Sequence, residues 1–219
     1  MGYGPKVALI LSAAVLTLGV ALAAPDTGSS EEAPLPAPST SPSLAPSPAS
    51  QELRDWALMW RRRAVRAWER WNRARACFDL SHVYFASPRP PRSASSDVWL
   101  EAGREWKQRV PVYREKTAAL RYRMIHPGGA GGERWRPLVR WHWPAYLVDD
   151  AVRCLSMESG GWPGARNPSG AAGLFQLYPA PDGWANPDYN VSYAYWHKFV
   201  PALRAYGNGW LPWASSLGL

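Results

Sequence analysis

One glutamate and the run that follows it hold most of the chemistry legible in this sequence. Glu158 closes the stretch Asp149-Asp150-Ala151-Val152-Arg153-Cys154-Leu155-Ser156-Met157-Glu158, and Ser159-Gly160-Gly161 follows it. Ala151, Val152 and Leu155 recur at helical spacing, and Glu158 comes three residues after Leu155, so it is predicted on the same inward face. The two aspartates suit the positive N-terminal end of that helix, and the glycines suit its stop. A carboxyl on an apolar face, at the negative end of a helix dipole, is expected to hold its proton more tightly than usual. Trp162 and Phe175 would add an apolar wall. A general acid working near neutral pH needs that state. The plainer alternative is a solvated or capping glutamate at a helix end.

The other reactive side chains are sparse. His82, His126, His142 and His197 are dispersed and show no ligand spacing with carboxylates, so neither metal nor cofactor is expected. Ser81-His82 lacks a nucleophile motif. Cys77 and Cys154 are the only thiols; a disulfide between them and two buried free thiols are both open from spacing alone. After Glu158 the acidic residues are Asp182, in a Pro/Gly-rich loop, and Asp188, beside a predicted helix start where capping is the simpler role.

The elements that must position these residues follow from composition read by region. The chain has 219 residues, 47% hydrophobic and 19% charged, which excludes disorder throughout; two cysteines exclude a disulfide-framework or Cys-rich zinc module. Residues 1–24 read as a signal peptide or signal anchor, with Lys6 before the uncharged run from Val7 to Ala24. Either places the remainder outside the cytoplasm. Residues 25–50 carry seven Pro and seven Ser and no aromatic residue, a semi-rigid linker. All 14 Trp come after residue 50.

Charge is equally uneven. Residues 51–145 hold 20 basic and 9 acidic side chains, against 4 and 5 in residues 146–219. Residues 51–134 are therefore a basic Trp/Arg-rich helical region. Its first helix is predicted over 51–76, with Leu53, Trp56, Trp60, Ala64, Ala67, Trp71 and Ala74 on one face and seven arginines around the rest. That face would dock on the C-terminal unit, while the arginines are either solvated or bind an anionic wall polymer or membrane surface. A second helix is expected from Asp97 to Arg109, broken by Pro111, and a third from Val112 to Met124, ended by Pro127-Gly128. No strand of convincing length is seen.

The stretch Glu158-Ser159, followed by Asn167-Pro168-Ser169-Gly170-Ala171-Ala172-Gly173-Leu174-Phe175-Gln176, resembles the lytic transglycosylase (SLT-type) domain of the lysozyme-like superfamily. The segment Trp184 to Val191 is similar to the family's Asn-centred segment that opens a helix, and Trp210-Leu211-Pro212-Trp213 to its closing Trp-x-Pro-Trp. The resemblance covers about residues 135–215. It implies a mainly α fold, with a lysozyme-like C-terminal domain at 135–219 packed with or beside the N-terminal helical region. It also implies Glu158 as general acid/base, with Ser159, Asn167, Gly173, Gln176, Trp184, Tyr195 and Trp210 around a glycan, and Trp213 in the core. Core packing is the competing role for Trp184, Tyr195 and Trp210. The sequence departs from the family where the stretch between Gln176 and Asn190 is short, and where His197 stands in place of a Tyr.

The activity so implied is cleavage of the MurNAc-GlcNAc bond of peptidoglycan with formation of 1,6-anhydromuramyl ends. A secreted or wall-associated location and peptidoglycan strands as partner go with it, and nucleic acid is not an expected partner. Hydrolysis on the same fold, with Asp182 as second carboxylate, and non-catalytic wall binding are the alternatives.

Overall fold

In a computed structural model, residues 47–219 are described; the signal and nearly all of the linker lie outside them. The described residues are mainly helical. Helix α1 spans Pro48–Ala76 and α2 Ser96–Ile125; α3 (Arg136–His142), α4 (Val148–Ser159), α5 (Pro187–Tyr193), α6 (Val200–Tyr206) and α7 (Ala214–Leu217) follow.

The first helix starts earlier than its apolar face. The Ser47 hydroxyl accepts from the Ser50 amide and Pro48 sits at the first helical position, where its missing N–H costs nothing. The end of the expected linker is therefore helix. The second helix runs through Pro111 without a break, contrary to the two helices expected. Proline in a helix interior costs about 3 kcal/mol. Against that, Trp106, Val110, Leu120 and Met124 are buried on both sides of it, each contributing about 1.5–3 kcal/mol. Lys107, whose carbonyl loses its partner at Pro111, is exposed.

Helices α1 and α2 lie side by side and run parallel. Ser50 meets Ser96, Arg54 lies over Trp99, Arg61 over Trp106, and Trp71 stacks on Tyr113, so the numbers rise together along both. A 29-residue helix is about 43 Å long, and residues 77–95 must retrace it as an extended strap. Polar clamps fix the strap: Trp68 Nε1 and Asn72 Nδ2 donate to the Val83 carbonyl, the Val83 amide donates to Asn72 Oδ1, and Trp106 Nε1 donates to Ser87. Gly103 lets the helices close, since a Cβ there would fall 2.3 Å from the Trp56 ring.

This arrangement changes the role expected for the tryptophan stripe. Ala57 and Ala64 pack with Trp99, Trp106 and Val110 in a small core of the helix pair, and Trp56 and Trp60 flank it. The first half of α1 docks on α2, not on the C-terminal unit. Only its last turns, with Trp71, Ala74 and Cys77, enter the main core, which they share with Leu120, Met124 and residues from Trp135 to Trp213. The boundary drawn between residues 134 and 135 thus crosses one continuous core, and residues 47–219 belong to a single compact unit.

The centre of that core is aromatic. Trp143 is stacked between Phe175 (centroids 5.4 Å apart) and Trp210 (5.5 Å), and its Nε1 donates to the Val191 carbonyl. Trp213 is buried as expected and donates from Nε1 to the Phe175 carbonyl. Cys77 and Cys154 are both free and buried. Burial pushes the Cys77 thiol up to about 11 and raises that of Cys154 as well, the Glu158 charge adding to the latter. Neither supplies a thiolate at neutral pH.

Candidate functional site

Helix α4 carries the residue singled out by the sequence. Asp149 and Asp150 occupy its first turn, Val148, Ala151, Val152, Cys154 and Leu155 are buried along it, and it ends at Gly160 in the left-handed conformation. Glu158 sits in the last turn and is half-buried. Its carboxylate forms no hydrogen bond or ion pair among the described residues, so it is free to meet a ligand. The two rings expected to wall it differ sharply in exposure. Phe175 is wholly buried against Trp143 and Trp213, while Trp162 is 63% exposed. Hydrophobic rings go to the core that buries most of their area, and Phe175 finds it against Trp143 and Trp213.

Ser159, placed around the glycan by the resemblance, spends its hydroxyl on backbone. Its hydroxyl lies 2.9 Å from the Leu155 carbonyl and 2.8 Å from the Leu174 carbonyl, and accepts from the Gly161 amide. It pins the loop after α4 to the end of that helix, and so fixes the glutamate one residue away. Trp135 Nε1 adds a bond to the Gly161 carbonyl.

The loop 165–177 is built from within. Asn167 Oδ1 accepts from the Ala171 amide and the Ser169 hydroxyl, and short antiparallel bridges join Arg166 to Ala172 and Ala172 to Leu177. Asn167 therefore shapes the loop. Gln176, at φ +44°, donates from Nε2 to the carbonyls of Ala165 and Gly173, which occupies its donor end with backbone. Gly173 is buried, at φ +82°, and a Cβ there would lie 2.0 Å from Asn190 Nδ2. The glycine makes room for an asparagine, not for a sugar.

The Asn-centred segment does open a helix, but not at Asn190. Asn186 does so instead, its side chain accepting from the amides of Asp188 and Tyr189 with Pro187 behind it. Asn190 is fully buried inside α5, where its Oδ1 accepts from the Phe175 amide and its Nδ2 donates to the carbonyls of Trp184 and Ala172. The sequence signal was present: an asparagine in a helical stretch beside Val191, on the face that should be apolar.

Trp184 is half-buried, its backbone held by Asn190. Tyr195 and Trp210 join the aromatic column, with ring centroids 5.1 and 5.5 Å from that of Trp143. Each spends one face on packing. Aromatic residues largely open to solvent in this half of the molecule include Trp162, Tyr178 (64% exposed) and Trp196 (56%).

Asp188 is neither a cap nor a free carboxylate. It takes His142 Nε2 at 2.8 Å and Arg121 Nη2 at 2.5 Å, tying α5 to α3 and α2. The His142 hydrogen bond, with help from Arg121, holds its carboxyl below the usual range. Asp182 is exposed and unpaired among the described residues. A cavity of about 430 Å³ lies between the end of α1, α3 and the start of α4, another of about 1310 Å³ lies along α1 and α2, and Glu158 lines neither. No group of His, Cys, Asp and Glu among the described residues is arranged to hold a metal. No family model, no curated protein and no solved structure matches this chain.

Proposed function

We propose that this chain is an exported, wall-associated enzyme that cleaves the MurNAc-GlcNAc bond of peptidoglycan as a lytic transglycosylase. Glu158 protonates the glycosidic oxygen as the bond to muramyl C1 breaks. The resulting carboxylate then takes the proton from the muramyl C6 hydroxyl as its oxygen closes on C1, leaving a 1,6-anhydro end and a glutamic acid restored. Water is not consumed.

The observation that carries this reading is an unpartnered, half-buried Glu158 next to the Ser159 that ties the last turn of α4 to the Leu174 carbonyl, with no second carboxylate at working distance on its helix. Paired glycosidase carboxylates stand about 5–5.5 Å apart in retaining enzymes and about 6.5–9.5 Å apart in inverting ones. Asp149 and Asp150 begin the helix that Glu158 ends, about 12–14 Å away along the axis. Asp188 is engaged by His142 and Arg121. One carboxyl serving as acid and then base needs no partner.

Digestion of purified sacculi followed by mass spectrometry tests this. The expected products are anhydromuropeptides, and Glu158→Gln should lower their release by at least about a hundredfold, the usual worth of a general acid. Reducing muramic ends would instead establish the hydrolase, with Asp182 the residue to substitute. Unchanged release from Glu158→Gln would refute the catalytic assignment.

A further inference from the structure

The most strongly charged feature of the fold lies away from Glu158. Along α1, Arg63, Arg66, Arg70 and Arg73 recur at three- and four-residue steps and line the 1310 Å³ groove. Arg114 and Arg121 of α2 line it as well, beside Ala67, Thr117 and Ala118. From Arg63 to Arg73 the α1 row covers ten helical steps, about 15 Å. Glu69 is the acidic residue among the lining. Arg63, Arg66, Arg70 and Arg114 form no ion pair among the described residues, and all four are exposed. Guanidinium groups gathered so closely repel one another, and that repulsion is relieved by an anion that spans them.

The shape and lining narrow the anion. A groove accepts a strand, whereas a bilayer surface is flat. Single-stranded nucleic acid relies on open aromatic faces for stacking. The ring in this groove, Trp141, is buried, and Arg73 and Arg121 lie over it with guanidinium carbons 4.8 and 5.2 Å from its centroid. That leaves phosphate contacts without base contacts, and arginine's fork is suited to phosphate. We infer that the groove between α1 and α2 binds a linear polyol-phosphate polymer, a phosphodiester chain without bases. The choice of polymer rests on the proposed location in the cell envelope. The groove would then hold the enzyme on the wall while Glu158 works on the glycan.

The test is binding of short poly(glycerol phosphate) to the full chain across a salt series. Affinity should fall linearly on a log–log plot, by about 0.7 in slope for each phosphate contacted. The triple substitution Arg66→Gln, Arg70→Gln and Arg114→Gln should reduce that slope by about 2 and weaken low-salt binding by at least about tenfold. The matching Arg→Lys triple should keep the slope. Removing the same charge outside the groove, through Arg89→Gln, Arg92→Gln and Arg104→Gln, should leave binding within about twofold of the parent. Equal losses from the two glutamine triples would overturn the proposal, because net charge alone would account for both. So would tighter binding of oligothymidylate or phosphatidylglycerol vesicles with the same arginine dependence, or no binding of the polymer at all. Glu158→Gln should bind the polymer unchanged, so loss of cleavage and loss of binding report separately on the two proposals.

Discussion

Asn190→Ala is the perturbation that most directly probes how the candidate site is held. The side chain is fully buried, and removing it strips the Phe175 amide of its acceptor and the Trp184 carbonyl of its donor. The Ala172 carbonyl is spared, because it also accepts from the Leu177 amide at 2.8 Å. An unsatisfied buried N–H costs about 1–3 kcal/mol. The half-buried Trp184 carbonyl costs less, because water can reach it, and the missing side-chain volume adds a cavity cost of its own. The total is about 3 kcal/mol, a large part of the stability of a domain this size. Urea unfolding should show a lower midpoint with unchanged slope. Hydrogen exchange should show the Phe175 amide losing more protection than amides of α1. A loss under about 1 kcal/mol, or a Phe175 amide as protected as before, would refute the view that this asparagine anchors the loop.

Two further outcomes follow from the same geometry. Gly173→Ala places a Cβ at φ +82° and against Asn190, so it should destabilise by at least about 1–2 kcal/mol and be partly relieved in an Asn190→Ala background; simple additivity in that double-mutant cycle would argue against their contact. Asp188 has its carboxyl lowered by His142 and Arg121, so its contribution is complete above the ordinary aspartate range and is lost as pH falls through the lowered value. Acid unfolding of Asp188→Asn should accordingly show a shallower loss of stability below about pH 4 than the parent, and identical acid limbs would sink the assignment.

How much of the site could be read in advance depends on the range of the interactions. The α4 helix, its acidic first turn, its glycine stop and the place of Glu158 at its end are local, set by neighbours within a turn or two, and the sequence pattern placed them correctly. The same holds for α1 as one long helix. Pro111 misled because its local penalty is real, yet burial against α1 and the C-terminal core outweighs it. Ser159, Asn167, Gly173 and Gln176 are named together only through the family resemblance, and the structure shows them within or beside one irregular loop. Their partners were not legible, because the Leu174 carbonyl and the Asn190 side chain reach them only through folding. Asp188 was misread for the same reason. Its acidity at a helix start is local, but His142 and Arg121 come from 46 and 67 residues away.

The sequence by itself determined that α1 and α4 are helices, where the positive charge gathers and which glutamate lies in the last turn of α4, because propensity, periodicity and charge counts are summed along the chain. Only the tertiary structure decided that α1 and α2 run parallel under an extended strap. It alone turned two arginine rows into one groove and sent Phe175 into the core, leaving Trp162 outside. Each of those outcomes is a choice among partners distant in sequence, settled by which arrangement buries the most aromatic surface while leaving the guanidinium groups in water.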